Sequence, residues 1–420
     1  MSEKQPFLLT TRERNHSDAV HQEETRIVSS GSERPPRRTT RRRRDVWFLL
    51  LVLLLGMTTI IVLTNTVARQ SGQSRATATR PGSPPVSATK APLITPSPIL
   101  ATGAFREYPL PQANSQVMRL AVDHEGRIWL GEMGRNALAV FDPRTRAYRE
   151  ITPPHGRSGI MGIQVAADDT IWFAEQYANY IGHYFPTTGT FHLYPLPSVT
   201  TPDPGNAGKT LTLPSAPNDL ALDTHGDVWF AEFNADRLGR LDPRTGDMQH
   251  YMLASKRTVQ QLAPYGVTVD PKGMVWFTEM GGGHIGRLDP ATGRIQYFPL
   301  PGVHVPLMEI ASDAHGTIWA TSFNAGLLLR LDSRTGAVTS YYASFTGADP
   351  GGLYGLAVTS SGDVWVTILT ENALARLDAA THRFSYYRVP TENSGPLALA
   401  AGADQTLWFS ENEKIGLLRL

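Results

Sequence analysis

Five glutamates recur three residues after a tryptophan: Glu132, Glu175, Glu232, Glu279 and Glu411. Ser322 and Ile368 stand at the two positions that depart from this pattern. Carboxylates that converge suit a hard cation, Mg2+ or another divalent ion. The same residues also suit an architectural role, each accepting bonds from backbone amides beside its own strand. A second set of residues is not dictated by any repeat: Arg119, Asp219, Tyr265, Glu309 and Tyr354. Each lies near the start of a short apolar strand that precedes a tryptophan strand, and these five are candidates for ligand binding. His284 and His304 fall in or near loops on the same side. With Tyr265 and Tyr354 they are the candidates for a catalytic base. The chain has no cysteine, which excludes thiol catalysis, disulfides and thiolate-held metal.

The elements that must position these groups are marked by Trp129, Trp172, Trp229, Trp276, Trp319, Trp365 and Trp408. Their spacings of 43, 57, 47, 43, 46 and 43 residues, filled with strand and turn signals, predict an all-β, seven-bladed β-propeller of four-stranded blades. Glycine stands three residues before the tryptophan in five blades, at 126, 226, 273, 316 and 362, where a tight hairpin needs a positive φ. A second hairpin follows each tryptophan strand, as in DPRTR at 142–146, DPRTG at 242–246, DPATG at 289–293 and DSRTG at 332–336.

The last repeat stops after its third strand, at Leu420. The segment ATGAFREYPLP at 101–111 closely resembles ATGRIQYFPLP at 291–301, so Phe105 to Pro109 is expected to supply the missing outer strand of blade seven. Closure of this kind removes an open sheet edge. Strand order then places the starts of inner strands, the ends of tryptophan strands and the connections between blades on one face, the top. The long connection 198–217 and Gly281–Gly283 cross this face.

Ahead of the propeller, at 101–420, three regions differ in composition. Residues 1–45 hold eleven basic and seven acidic residues, end in Arg34, Arg37, Arg38 and Arg41 to Arg44, and read as a disordered basic tail. Residues 46–64 carry no charge and are long enough for a single transmembrane helix. The arginines before it predict a single-pass protein of the cell membrane, N-terminus cytoplasmic and propeller extracytoplasmic. A cleaved signal peptide is the competing reading, although its apolar region is normally shorter and nearer the start. Residues 65–100 are rich in Ser, Thr, Ala and Pro and read as a flexible stalk. From 101 onward 24 basic residues face 31 acidic ones, which argues against nucleic acid as a partner. The expected partners are the membrane and an extracytoplasmic small molecule, peptide, glycan or protein, and a monomer is expected.

The composite repeat is an apolar strand, Asp-x-x-Gly, Trp-Phe-x-Glu, Ile-Gly-Arg-Leu-Asp-Pro-x-Thr-Gly and Tyr-Pro-Leu-Pro. Its best copies are VWFAEFNADRLGRLDPRTG at 228–246 and VWFTEMGGGHIGRLDPATG at 275–293. It resembles the virginiamycin B lyases (streptogramin lyases) over about residues 101–420. The resemblance implies a seven-bladed propeller that opens a cyclic depsipeptide by elimination at its ester, using Mg2+. It also implies catalytic histidines at the inner-strand starts of the last two blades and a supporting acid in the last Trp-x-x-Glu. Here those histidine positions are Tyr354, in Leu353-Tyr354-Gly355-Leu356, and Leu397, in Gly395-Pro396-Leu397-Ala398-Leu399, while Glu411 matches.

Two functions therefore compete. One is a membrane-anchored propeller that binds a ligand or partner over its central channel. The other is an exported Mg2+-dependent lyase whose base has moved to His284, His304 or Tyr265. A lactonase-like use of one channel-bound divalent ion is a third, weaker option.

Overall fold

Turn geometry organises the chain. The computed structural model describes residues 99–420, apart from 204, 207, 254–260, 301–304, 347–350 and 403–404. The position three residues before each tryptophan is left-handed in all seven blades. It has φ of 78–85° at Gly126, Gly226, Gly273, Gly316 and Gly362, and 60° and 57° at Asp169 and Gln405. An aspartate clamps many of these hairpins. Asp123 Oδ1 accepts the backbone N–H groups of Glu125 (3.0 Å) and Arg127 (2.8 Å), while Oδ2 accepts the Trp129 indole N–H at 2.8 Å. Asp223 and Asp270 repeat this for Trp229 and Trp276, at 3.0 and 2.9 Å. The tryptophans are thus anchored to the turns as well as packed.

The strands form a seven-bladed propeller of four antiparallel strands per blade, with a fifth, parallel strand added to the edge of blade six and a separate two-stranded hairpin. In blade one the order is Val117–Val122, Ile128–Glu132, Ala137–Asp142 and Ala147–Ile151. In blade seven Leu399–Ala401, Thr406–Ser410 and Lys414–Arg419 are completed by Ala104–Pro109, whose Tyr108 lies opposite Ile415. Tyr108 stacks on Trp408 with ring centroids 5.9 Å apart, and Phe105 meets Phe409 edge-on at 6.1 Å. The first two described residues, Ile99–Leu100, pair in parallel with Phe384–Arg388 at the outer edge of blade six. They flank Ser385 and Tyr386, near the bottom end of that strand.

The core lies between blades. Trp129 packs with Ile160, Ile163 and Phe173 of blade two, and Trp408 packs with Leu120, Leu130 and Phe141 of blade one, closing the circle. Each large apolar side chain so buried contributes about 1.5–3 kcal/mol. The Ile-Gly-Arg segment of the third strand fits this packing. A Cβ on Gly182, Gly239, Gly286 or Gly416 would sit 2.0–2.1 Å from the tip of Phe173, Phe230, Phe277 or Phe409. The following arginine covers the tryptophan, as with Arg240 over Trp229 at 5.5 Å and Arg287 over Trp276 at 5.4 Å.

The expected tail, the apolar segment 46–64, the stalk as far as 98, and His304 lie outside the described residues. Among the described residues no helix is long and apolar enough to cross a membrane. The connection after blade two contains an additional hairpin, Val199–Pro202 paired with Thr210–Leu213, which the strand count had not anticipated.

Candidate functional site at the mouth of the channel

Two consecutive rings of residues open the inner strands. In blade order the first is Met118, Met161, Asn218, Tyr265, Met308, Tyr354 and Leu397. The second is Arg119, Gly162, Asp219, Gly266, Glu309, Gly355 and Ala398. A bulge between the first and fourth residues of most inner strands lets both rings face inward. The glycines of the second ring are required by close approach. A Cβ at Gly162 would lie 3.0 Å from the Asp219 Cα, at Gly266 2.8 Å from the Met308 carbonyl, and at Gly355 2.3 Å from the Leu397 carbonyl. Side chains in that ring therefore come from blades one, three and five, with Ala398 in blade seven.

Those side chains meet. Arg119 Nη2 is 2.6 Å from Glu309 Oε1, and its Nε is 3.7 Å from Asp219 Oδ1. Its Nη1 donates to the Tyr354 hydroxyl at 3.0 Å and to the Met118 carbonyl at 3.2 Å. The Tyr265 and Tyr354 hydroxyls are 2.6 Å apart, and the guanidinium lies 5.9 and 5.7 Å from their ring centroids. Asp219 Oδ2 accepts the Val267 N–H at 3.1 Å. Arg119, Asp219, Tyr265, Glu309 and Tyr354 are thus one buried cluster drawn from five blades, each 9% exposed or less.

Burial controls the protonation of this cluster. It opposes charge on Arg119, but Glu309, Tyr354 and Asp219 outweigh it and hold the guanidinium protonated. Burial pushes Glu309 up to about 8, with Arg119 opposing and the charge of Asp219 adding to the rise. Burial also raises Asp219 and both tyrosines. One cation beside two acids leaves an excess negative charge in a dry site unless one acid keeps a proton, and burial raises both Glu309 and Asp219 towards that state.

The five Trp-x-x-Glu carboxylates do not join the cluster. Glu132 accepts the Tyr148 hydroxyl at 2.6 Å, and Glu175 pairs with His155 at 3.0 Å. Glu232 binds Arg237 through two bonds of 2.8 and 2.7 Å and His250 at 2.7 Å, while Glu279 pairs with His284 at 3.1 Å. Each engages residues of its own blade or of the connection beside it. Glu411 lies next to Glu107, and burial followed by that neighbouring charge pushes it up to about 7. Glu107 itself is taken up by Thr391 at 2.6 Å and Lys414 at 2.9 Å. Among the described residues no three His, Asp or Glu side chains gather closely enough to hold a cation. The donor set among the described residues does not fit Mg2+. His284, at the head of the third strand of blade four, pairs with Glu279.

A set of hydroxyls two residues after the tryptophan escaped the sequence reading. Thr278 accepts the Gly266 N–H at 2.9 Å and donates to the Met308 carbonyl of the next blade at 2.5 Å. Thr321 links Glu309 N–H (3.2 Å) to Tyr354 C=O (2.9 Å), and Thr367 links Gly355 N–H (2.7 Å) to Leu397 C=O (2.8 Å). These bridges fix the inner strands that carry Tyr265, Glu309 and Tyr354. Their signal was visible as WFT, WAT and WVT in blades four to six, where blades one to three have Gly131, Ala174 and Ala231.

Fold and site together define a seven-bladed propeller whose channel mouth is closed by a polar cluster. The profile of the virginiamycin B lyase family matches residues 96–350 and 199–411, and the chain belongs to that family. Its structure is similar to a streptogramin B lyase, at 24% identity and a TM-score of 0.66 over 76% of this chain and 98% of that one. It is equally similar to virginiamycin B lyase from Staphylococcus aureus, at 22% identity, a TM-score of 0.66, and 76% and 100% coverage. A catalytically inactive histidine-to-alanine variant of that enzyme, solved with quinupristin, matches at 23% identity, a TM-score of 0.66, and 76% and 100% coverage. At these identities the likeness is one of fold. A search of curated proteins finds no match.

Proposed function

We propose that this protein is a membrane-anchored, extracytoplasmic propeller that binds a ligand on its top face and does not carry out the elimination of its family. The observation behind this reading is the occupancy of the two inner-strand positions where the resemblance calls for histidines. Tyr354 is locked between Arg119 and Tyr265, and burial raises its pKa, so it is no base at neutral pH. Leu397 is apolar and buried. Anchoring is supported by the uncharged segment 46–64 behind an arginine block.

The test is incubation of the full-length chain in detergent with a type B streptogramin and Mg2+. The substrate is expected to remain cyclic. A second reading keeps the elimination with a relocated base, and the His284–Glu279 pair favours it. A mass-neutral, Mg2+-dependent ring-opened isomer, lost on replacing His284, would establish that reading instead.

A further inference from the structure

A cleft of about 500 Å³ opens on the top face between blades two and three, lined by Arg157, Gln176, Tyr177, Pro214, Phe233 and Asn234. Its volume is in the range of small-ligand sites. The non-repeating part of the chain builds it. Pro214 and Ala216 form the exit of the additional hairpin and are clamped on both sides. The Ala216 N–H donates to Asn179 Oδ1 of blade two at 3.1 Å, and Asn234 Nδ2 of blade three donates to the Pro214 carbonyl at 3.1 Å.

Tyr177 is the distinctive wall. Gly159, at φ +59°, lies directly beneath its ring, where a Cβ would come within 2.2 Å of the ring carbons. Backbone bonds from Gln176 N–H to Gly159 C=O and from Tyr177 N–H to Ser158 C=O, both 3.1 Å, hold the two segments together. One side of the ring is supported and the residue is still 54% exposed, so the ring presents a flat aromatic face to the cleft.

The lining is also electrostatically lopsided. Arg157 is exposed and makes no ion pair among the described residues, and no acid lines the cleft, although the propeller as a whole is acid-rich. Gln176 and Asn234 bring primary amides, and Gln176 Nε2 ties the cleft to the channel ring by donating to Asn218 Oδ1 at 2.8 Å. Phe233 continues the same way, meeting Tyr265 edge-on at 6.4 Å.

An open aromatic plate and one guanidinium without an ion pair match a ring with an apolar C–H face and a carboxylate. A peptide that added to the hairpin Val199–Pro202 and Thr210–Leu213 would pair with its backbone edge rather than with Tyr177 and Arg157. Resting on the binding function proposed above, we infer that the cleft is a subsite for an acidic oligosaccharide, with a uronate ring on Tyr177 and its carboxylate on Arg157.

The experiment is calorimetric titration of the full-length chain in detergent with trigalacturonic acid and with its methyl ester. The acid is expected to bind about tenfold more tightly than the ester, as for a charge-assisted pair. Arg157→Gln should bring the acid down to the ester's affinity, and Tyr177→Ala should weaken both ligands about tenfold. Arg244→Gln, on an exposed bottom turn, should change neither. Equal binding of acid and ester, no binding of either, or an acid preference that survives Arg157→Gln overturns the assignment. So does tighter binding of an acidic peptide such as acetyl-Tyr-Glu. Streptogramin ring opening, measured separately, would overturn the broader binding function rather than the cleft.

Discussion

Replacing Glu309 with glutamine should flatten the dependence of stability on pH. Glu309 is buried against Arg119, with Asp219 nearby and the hydroxyls of Tyr265 and Tyr354 completing the site. Its folded pKa is raised to about 8, against about 4.3 in an unfolded chain. Between these values the folded state keeps a proton that the unfolded state has released. Stability from this group is therefore fully present below about pH 4.3 and is lost as pH rises towards 8. One proton gives a slope of about 1.4 kcal/mol per pH unit, or about 3 kcal/mol between pH 5.5 and 7.5. Glutamine mimics the protonated acid and cannot titrate, so the variant should lose less stability over that window by about this amount. Urea unfolding followed by tryptophan fluorescence at pH 5.5, 6.5 and 7.5 measures the difference, because titrating groups outside the Arg119 cluster cancel between the two proteins. An identical slope in the variant, or a wild type whose advantage over it grows with pH, would refute the assignment of the proton to Glu309.

Three further outcomes follow from the same packing. Thr367→Val removes the bridge between Gly355 and Leu397 and leaves buried backbone groups unpaired, so urea unfolding should show a loss of about 1–3 kcal/mol. Gly355→Ala forces a methyl to within 2.3 Å of the Leu397 carbonyl and should lower the thermal midpoint. Gly156→Ala, with nothing within 4 Å, should leave it almost unchanged. A chain that begins at residue 112 loses the strand Ala104–Pro109 and the Tyr108–Trp408 stack. Size-exclusion chromatography should show it self-associating through the bared edge of blade seven, while a chain beginning at residue 99 should stay monomeric.

Much of the architecture is legible in the sequence because each blade repeats the chemistry that builds it. Asp-x-x-Gly before the tryptophan encodes a left-handed turn and an indole acceptor in one motif, and Ile-Gly-Arg encodes the glycine under a phenylalanine. Even the exceptions obey, since Asp169, Gln405, Arg146 and His382 take the left-handed φ where glycine is missing. Arg119, Asp219, Tyr265, Glu309 and Tyr354 could be singled out as exceptions within a shared register, and shared register in a closed ring means convergence. The fate of the Trp-x-x-Glu carboxylates was not legible. Their partners Tyr148, His155, Arg237, His250 and His284 sit at positions that differ from blade to blade, so no motif announces them. The cleft was hidden for a related reason, because it depends on an inserted hairpin and on a glycine beneath Tyr177.

The central claim is that the top face is arranged to hold a ligand and not to perform metal-assisted elimination. A crystal structure grown in millimolar Mg2+ tests it most directly. The account predicts that Glu132, Glu175, Glu232 and Glu279 keep their bonds within or beside their own blades, that Arg119 stays on Glu309, and that no cation is held by three of these carboxylates. A Mg2+ ion bound over the channel by Glu411 and other members of the ring, with Arg119 displaced, would contradict it.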